Sequence, residues 1–259
     1  MMVPLFAALA YALSLLLIAL WMPALILVWL VTLPFDPTRR IAGRFLRFLA
    51  VFIAHTFRYW KVRVLGGWPP GKDTYVVVSN HQSMLDIFLI SHMPREMKWI
   101  AKESLFKIPW VGWMLRFSGD IPVKRGDPQS AQKVMARARW YLDHGMHVMI
   151  FPEGTRTRSG KLLPFKSGAF RLAIEAGVPV LPLAVSGTAE GMPADGPWVR
   201  PARPTARILE PISTAGMGPG DVVRLRDLAR ARIAAALGET VAAQAVEVPE
   251  DAPGAGQAG

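Results

Sequence analysis

Thr74-Tyr75-Val76-Val77-Val78-Ser79-Asn80-His81-Gln82-Ser83-Met84-Leu85-Asp86 passes from an apolar, β-branched segment into a polar turn and then into a helix start. Three consecutive valines bounded by turn residues read as an apolar strand over 74–79. Ser83-x-x-Asp86 matches a helix-start pattern, so residues 83–93 read as a helix. Strand, turn and helix in this order form the first half of a β-α-β unit. The stretch predicts an α/β fold.

The same turn carries chemistry. Asp86 follows His81 by five positions. On a regular helix that spacing turns the chain through about 500° and leaves the side chains roughly 140° apart. They meet only if His81 lies in the turn before the helix and folds back over it. There an imidazole is a candidate general base, and a carboxylate can orient it. The pair also fits a simpler arrangement, in which Asp86 serves the helix N-terminus and His81 is an ordinary loop residue.

Further along, strand patterns recur at 61–65, 98–101, 147–151, 178–185 and 206–209, with 74–79 as the one already read. Helices fall between them: 128–143, with Asp127 as N-cap and Pro128 at its first position; 167–176, ending at Gly177; and 221–237, closing before Gly238. This alternation predicts a layered α/β domain. Three more blocks stand out: Gly119-Asp120-Ile121-Pro122-Val123-Lys124-Arg125; Phe151-Pro152-Glu153-Gly154-Thr155-Arg156; and Val178-Pro179-Val180-Leu181-Pro182, leading to Ser186-Gly187-Thr188. The prolines of the last predict an edge strand. In the middle one a strand runs into a glycine turn, placing Arg156 at a carboxyl edge, where open sheets bind ligands and a guanidinium fork suits phosphate.

Residues 1–35 contain no charged side chain. As one helix they would reach roughly 52 Å, beyond a hydrocarbon core of about 30 Å. Either a single tilted span over about 5–30 or two shorter helices broken near Pro23 fits. The run exceeds a signal-peptide core and no basic residue precedes it, so it reads as a retained anchor. Arg39, Arg40, Arg44 and Arg47 follow, which puts this flank on the cytoplasmic side. Residues 48–57 are again uncharged, before Arg58, Lys61 and Arg63. An amphipathic interfacial helix with its arginines at the headgroups is expected over 36–60; an ordinary core helix has the same pattern. After Glu239 the chain is rich in Ala, Gly and Pro, with only acidic charges, and is expected to be disordered.

The organisation is thus a hydrophobic membrane anchor over 1–35, a basic interfacial helix over 36–60, an α/β domain over 61–238 and a tail over 239–259. An apolar fraction of 52% and a formal net charge of +11 suit an anionic membrane or a phosphorylated substrate. No nucleic-acid-binding signature is present. The absence of cysteine excludes disulfides, an acyl-cysteine intermediate and thiolate-bound metals.

Taken together, the four blocks resemble, in order and spacing, the four signature blocks of the glycerolipid acyltransferase family, most of all the bacterial 1-acyl-sn-glycerol-3-phosphate acyltransferases. Trp99-Ile100-Ala101-Lys102-Glu103-Ser104-Leu105, Pro109-x-x-Gly112 and Pro164-Phe165-Lys166-Ser167-Gly168-Ala169-Phe170 add to the resemblance, which covers about residues 61–200. Ile-Pro-Val-Lys-Arg departs from the bulkier residues and acid common in that block. The resemblance implies a layered αβ acyltransferase domain with an N-terminal hydrophobic helical membrane anchor. It implies transfer of a fatty acyl group from acyl-CoA or acyl carrier protein to the sn-2 hydroxyl of 1-acyl-sn-glycerol 3-phosphate (lysophosphatidic acid), forming phosphatidic acid in phospholipid biosynthesis. His81 would be the base and Asp86 its orienting carboxylate. Arg156 would bind the acceptor phosphate with added charge from Arg125 and Lys102, in a site shaped by Glu153, Gly154 and Thr155. No metal or cofactor beyond the thioester is expected. The partners would be an anionic phospholipid membrane, lysophosphatidic acid and the acyl donor, with no nucleic acid; the location would be the cytoplasmic face of a bacterial inner membrane. The alternatives are an acyltransferase for a different lysophospholipid or lyso-aminolipid, a metal-dependent hydrolase using His81, Asp86 and Glu153, and a non-catalytic lipid-binding protein.

Overall fold

The computed structural model describes residues 2–56, 59–157, 159–193, 196 and 198–238, so Arg58 and the 239–259 tail lie outside the described residues. Two helices come first, α1 (Met2–Thr32) and α2 (Arg40–Thr56). There follow β1 (Arg63–Leu65), β2 (Val76–Ser79), α3 (Leu85–Ile90), β3 (Met97–Lys102), α4 (Val111–Ser118), β4 (Ile121–Val123) and α5 (Pro128–Asp143). The chain continues with β5 (His147–Ile150), α6 (Gly168–Ala176), β6 (Val180–Ser186), α7 (Thr188–Gly191), β7 (Thr205–Ile208) and α8 (Val222–Leu237). A 3-10 turn, Glu103–Lys107, precedes α4.

The layered α/β fold expected from the alternating pattern is present. α5 begins at Pro128, with Asp127 Oδ1 accepting from Ser130 N–H at 3.1 Å. α3 is shorter than the expected 83–93. At its start the Gln82 and Ser83 N–H groups turn to the Asp86 carboxylate, and at its end Pro94 disfavours helical backbone at Met93.

The strands form one sheet of order β1-β7-β6-β2-β5-β3-β4. β6, β2, β5, β3 and β4 run parallel, β7 runs antiparallel to β6, and β1 runs parallel to β7. β6 is therefore interior, not the edge strand its prolines suggested. Pro182 is accommodated because its carbonyl accepts from Leu209 N–H at 3.0 Å. Beside it the pairing is offset, two residues from Val180 to Pro182 against three from Leu209 to Ile212, and a proline is tolerated at such a bulge.

β2 is buried on both faces. Val76 and Val78 pack with α5, α6 and α8, while Val77 packs with the α3 residues Leu89 and Ile90. The chain leaves β2 by α3 on one face and jumps past β5 to β3. It leaves β5 by α6 on the other face and jumps past β2 to β6. Right-handed crossovers in opposite directions require opposite faces, so the loops after β2 and β5 part from each other. That gap is the topological switch point at which open α/β sheets bind ligands.

α1 is a single helix with Pro23 inside it, so the broken pair of helices is not formed. Tyr11–Thr32 is long and apolar enough to cross a membrane and is mostly unburied. The face of α1 bearing Met22 and Leu25 packs with Leu46, Leu49 and Ile53 of α2, and Trp21 stacks on Phe45 at 4.7 Å.

The arginines after α1 differ from the headgroup expectation. Arg39 donates to Arg116 O, Arg40 to Gly145 O and Arg44 to Met93 O, which are carbonyls at or just beyond the ends of α4, α5 and α3. Such C-terminal carbonyls lack helical partners and favour cations. Arg47 is buried and pairs with Asp120 at 2.5 and 2.7 Å, beside a buried Lys98–Glu96 pair at 3.2 Å. The basic segment thus fastens α2 to the sheet, while Ile41, Phe48 and Phe52 face outward.

Candidate active site

Asn80 sets the turn after β2. Its side-chain amide donates to Val185 O and accepts from Val185 N–H, both at 2.8 Å. This prolongs the β2–β6 ladder by one side chain and lifts His81 over the sheet edge. Two main-chain bonds then hold His81: its N–H donates to Glu153 Oε1 at 2.8 Å, and its carbonyl accepts from Thr157 N–H at 2.9 Å. Its ring stacks on Phe151, with centroids 4.0 Å apart.

His81 folds back over the first turn of α3, as the spacing required. Nδ1 lies 2.7 Å from Asp86 Oδ2. The same oxygen accepts from Gln82 N–H at 2.8 Å and Ser83 N–H at 2.9 Å. The helix-start bonds of Asp86 and its contact with His81 are therefore made by one oxygen. Ser83 completes the turn: its Oγ accepts from Leu85 N–H and donates to Met192 O at 2.6 Å. Asp86 is fully buried. A buried carboxylate at Nδ1 fixes that nitrogen as the donor and leaves Nε2 with the lone pair, without a partner among the described residues. The His81 side chain remains 12% exposed, so Nε2 is reachable from outside.

The remaining expected residues are placed as follows. Glu153 is buried, with Oε1 on His81 N–H and Oε2 on Leu163 N–H at 3.2 Å, and so positions the His81 backbone. Gly154 has φ +70°, and a Cβ there would lie 3.0 Å from Lys166 Nζ. Thr155 is exposed. Arg156 is half-buried, and its guanidinium has no partner among the described residues. Lys102 and Arg125 are exposed at the carboxyl ends of β3 and β4. Because β2, β5, β3 and β4 are parallel, all these residues lie along one edge of the sheet. Four functional neighbours escaped the sequence reading: Asn80, Phe151, Thr157 and Lys166. All but Thr157 stand inside the quoted stretches, but nothing in their spacing reveals a main-chain bond or a ring contact.

Among the described residues no three His, Asp or Glu side chains gather as metal ligands. Glu153 spends its carboxylate on main-chain donors, so the His81, Asp86 and Glu153 set of the hydrolase alternative does not converge. The edge offers instead an oriented imidazole, unpaired cations and a turn able to approach an anion. That is a constellation for deprotonating a hydroxyl on a phosphorylated molecule.

An acyltransferase family model matches residues 61–186. A 1-acyl-sn-glycerol-3-phosphate acyltransferase of Chlamydomonas reinhardtii is 36% identical over 225 residues, covering 85% of this chain and 65% of the relative. The human 1-acyl-sn-glycerol-3-phosphate acyltransferase alpha is 35% identical, covering 72% of this chain and 67% of its own. The chain spans from about half to two thirds of the length of the curated relatives it matches first. The crystal structure of the 1-acyl-sn-glycerophosphate acyltransferase PlsC from Thermotoga maritima superposes with a TM-score of 0.64 at 26% identity. It covers 90% of this chain and 100% of that one.

Proposed function

The chain belongs to the acyltransferase family, and on that premise we propose that it transfers a fatty acyl group from a thioester to the sn-2 hydroxyl of 1-acyl-sn-glycerol 3-phosphate, forming phosphatidic acid. The observation that carries this reading is the 2.7 Å His81–Asp86 contact on the edge that also holds the unpartnered Arg156. The relatives' names supply the acceptor.

In the proposed step, His81 Nε2 removes the acceptor hydroxyl proton as that oxygen attacks the thioester carbonyl. A C–O bond forms, the C–S bond breaks, and the thiolate leaves with the proton returned by the imidazolium. A positioned histidine contributes typically about 10²–10⁴-fold. Asp86 holds the tautomer and stabilises the charged ring. The acceptor hydroxyl occupies the role of a serine nucleophile, so no acyl-enzyme is needed. The step balances without a metal or cofactor; acyl-CoA or acyl carrier protein is the co-substrate. Arg156 binds the acceptor phosphate, with Arg125, Lys102 and Lys166 adding charge, while Thr155 and the open backbone at Gly154 shape that turn. The apolar span Tyr11–Thr32 supports attachment to a membrane, with the catalytic domain proposed to lie on the cytoplasmic face of a bacterial inner membrane.

The test is acceptor kinetics of Arg156→Lys, which keeps the charge and loses the fork. A lost charge-assisted bond costs about 1.5–3 kcal/mol, or roughly ten- to a hundredfold in kcat/KM for lysophosphatidic acid. A phosphate-free acceptor should be little affected. Equal losses on both acceptors, or unchanged kinetics in Arg156→Ala, would take Arg156 out of the phosphate site.

A further inference from the structure

From the turn after β3 into the first turn of α4 the chain carries three large apolar side chains into solvent. Ile108 and Trp110 are each 46% exposed and Trp113 is 51% exposed, and the two indoles lie 5.9 Å apart. Trp110 has φ +64° and ψ −60°, and Val111 N–H donates to Pro109 O at 2.7 Å. This is a γ-turn of the rare, strained hand. Such backbone persists only where the surroundings over-determine it, and it clusters at functional positions. The surroundings do so here: a Cβ at Gly112 would sit 2.2 Å from Phe106 O, and Phe106 itself is buried. A rigid, strained turn therefore holds out an indole that stays nearly half exposed.

What covers this face follows from its neighbours. α4 lies along α1, with Phe117 against Trp29 at 4.9 Å and Met114 in one cluster with Met22 and Leu25. The patch is thus continuous with the long apolar helix. It follows the carboxyl end of β3, so it stands on the same edge as His81 and Arg156. Exposed cations flank it, Lys102 before, Lys107 beside and Arg116 after. The nearby acid, Glu103, is engaged by Lys107 at 3.5 Å. Tryptophan with cations beside an apolar span is the composition that settles at a bilayer's headgroup level and is drawn to anionic lipid.

We propose that Ile108, Trp110 and Trp113 form a second membrane contact, separate from α1, which sinks into the headgroup layer of an anionic bilayer and seats the active-site edge against it. This rests on the reading that α1 anchors the chain in a membrane. The effect is to bring a lipid acceptor to His81 without lifting it far from the bilayer.

The chain has no cysteine, so single-cysteine variants of the full-length protein accept one fluorophore each. Trp113→Cys, Leu16→Cys on exposed α1 and Val223→Cys on exposed α8 are labelled and reconstituted into phosphatidylglycerol–phosphatidylcholine vesicles carrying lipid-borne quenchers. The label at 113 should be quenched at least about threefold more than that at 223 by a headgroup-level quencher. The label at 16 should respond to a deeper one. Quenching at 16, with 113 no different from 223, would overturn the second contact and leave the anchor standing. No quenching at either 16 or 113 would overturn both. A label at 113 shielded by raising protein concentration in detergent, and not by lipid, would assign the face to a second copy and overturn the bilayer contact.

Discussion

Replacing Asp86 with Asn separates the charge of this group from its geometry. Oδ2 alone accepts from His81 Nδ1 and from the Gln82 and Ser83 N–H groups, while Oδ1 is buried without a partner. The two main-chain donors therefore force the introduced amide to present its oxygen where Oδ2 was. That oxygen can still accept from Nδ1–H, so the tautomer is kept, and what is lost is the negative charge facing the imidazolium. At a charge separation of roughly 4 Å and an effective dielectric constant of about 20, that attraction is worth about 4 kcal/mol. Part survives as a neutral hydrogen bond, leaving a loss of about 3–4 kcal/mol, or about 10²–10³-fold in rate. Acyl transfer from a thioester releases a free thiol, which a thiol-reactive chromophore reports; a chain without cysteine contributes no background. A thermal melt near the parent's is the control for folding of Asp86→Asn. In a His81→Ala background the same change should cost nothing further, because Asp86 acts through His81. A loss below tenfold in the single variant, or a full additional loss in the double one, would refute the assigned pairing.

Glu153→Gln should be the less tolerated amide replacement, since the two carboxylate oxygens accept from different main-chain donors. An –NH₂ must face one of them, at a cost of about 1–3 kcal/mol; a denaturant melt matching the parent's would contradict this. His147 accepts from Tyr75 N–H through Nδ1 at 3.1 Å, and burial, then Arg40 and Arg95, lower its pKa from 6.5 to about 4. Between those values the unfolded chain binds a proton that the folded one refuses, so stability falls as pH falls from 6.5 towards 4, by about 3 kcal/mol in all. His147→Gln should flatten that limb of a stability–pH curve, and an unchanged limb would clear His147 of the effect. At position 110 the usual order of substitutions should invert. With φ +64°, Trp110→Gly should melt higher than Trp110→Ala, the strain relieved being about 1–3 kcal/mol; equal melting temperatures would show the turn relaxes freely.

The strand–turn–helix order, the alternating layers, the helix starting at Pro128 and the long apolar N-terminal run are local properties of the sequence. They follow from β-branching, a side-chain period, a capping residue and the absence of charge, so they were legible in it. The His81–Asp86 contact was legible as a condition: five residues of spacing demand a fold-back, but cannot say that it happens. Three things were decided only by tertiary structure. Pro182 sits inside the sheet because the neighbouring chain, pairing at Leu209 and Ile212, is offset by one residue beside it. Glu153 faces inward because the turn after β5 passes under the His81 backbone, a contact between positions 72 residues apart. The arginines at 39, 40, 44 and 47 look like a membrane flank by composition, and they bind the open ends of α3, α4 and α5 and a buried Asp120 instead. A charge pattern records how many cations a segment carries. Which anion or carbonyl each one meets depends on where distant helices end, and only the packed chain fixes that.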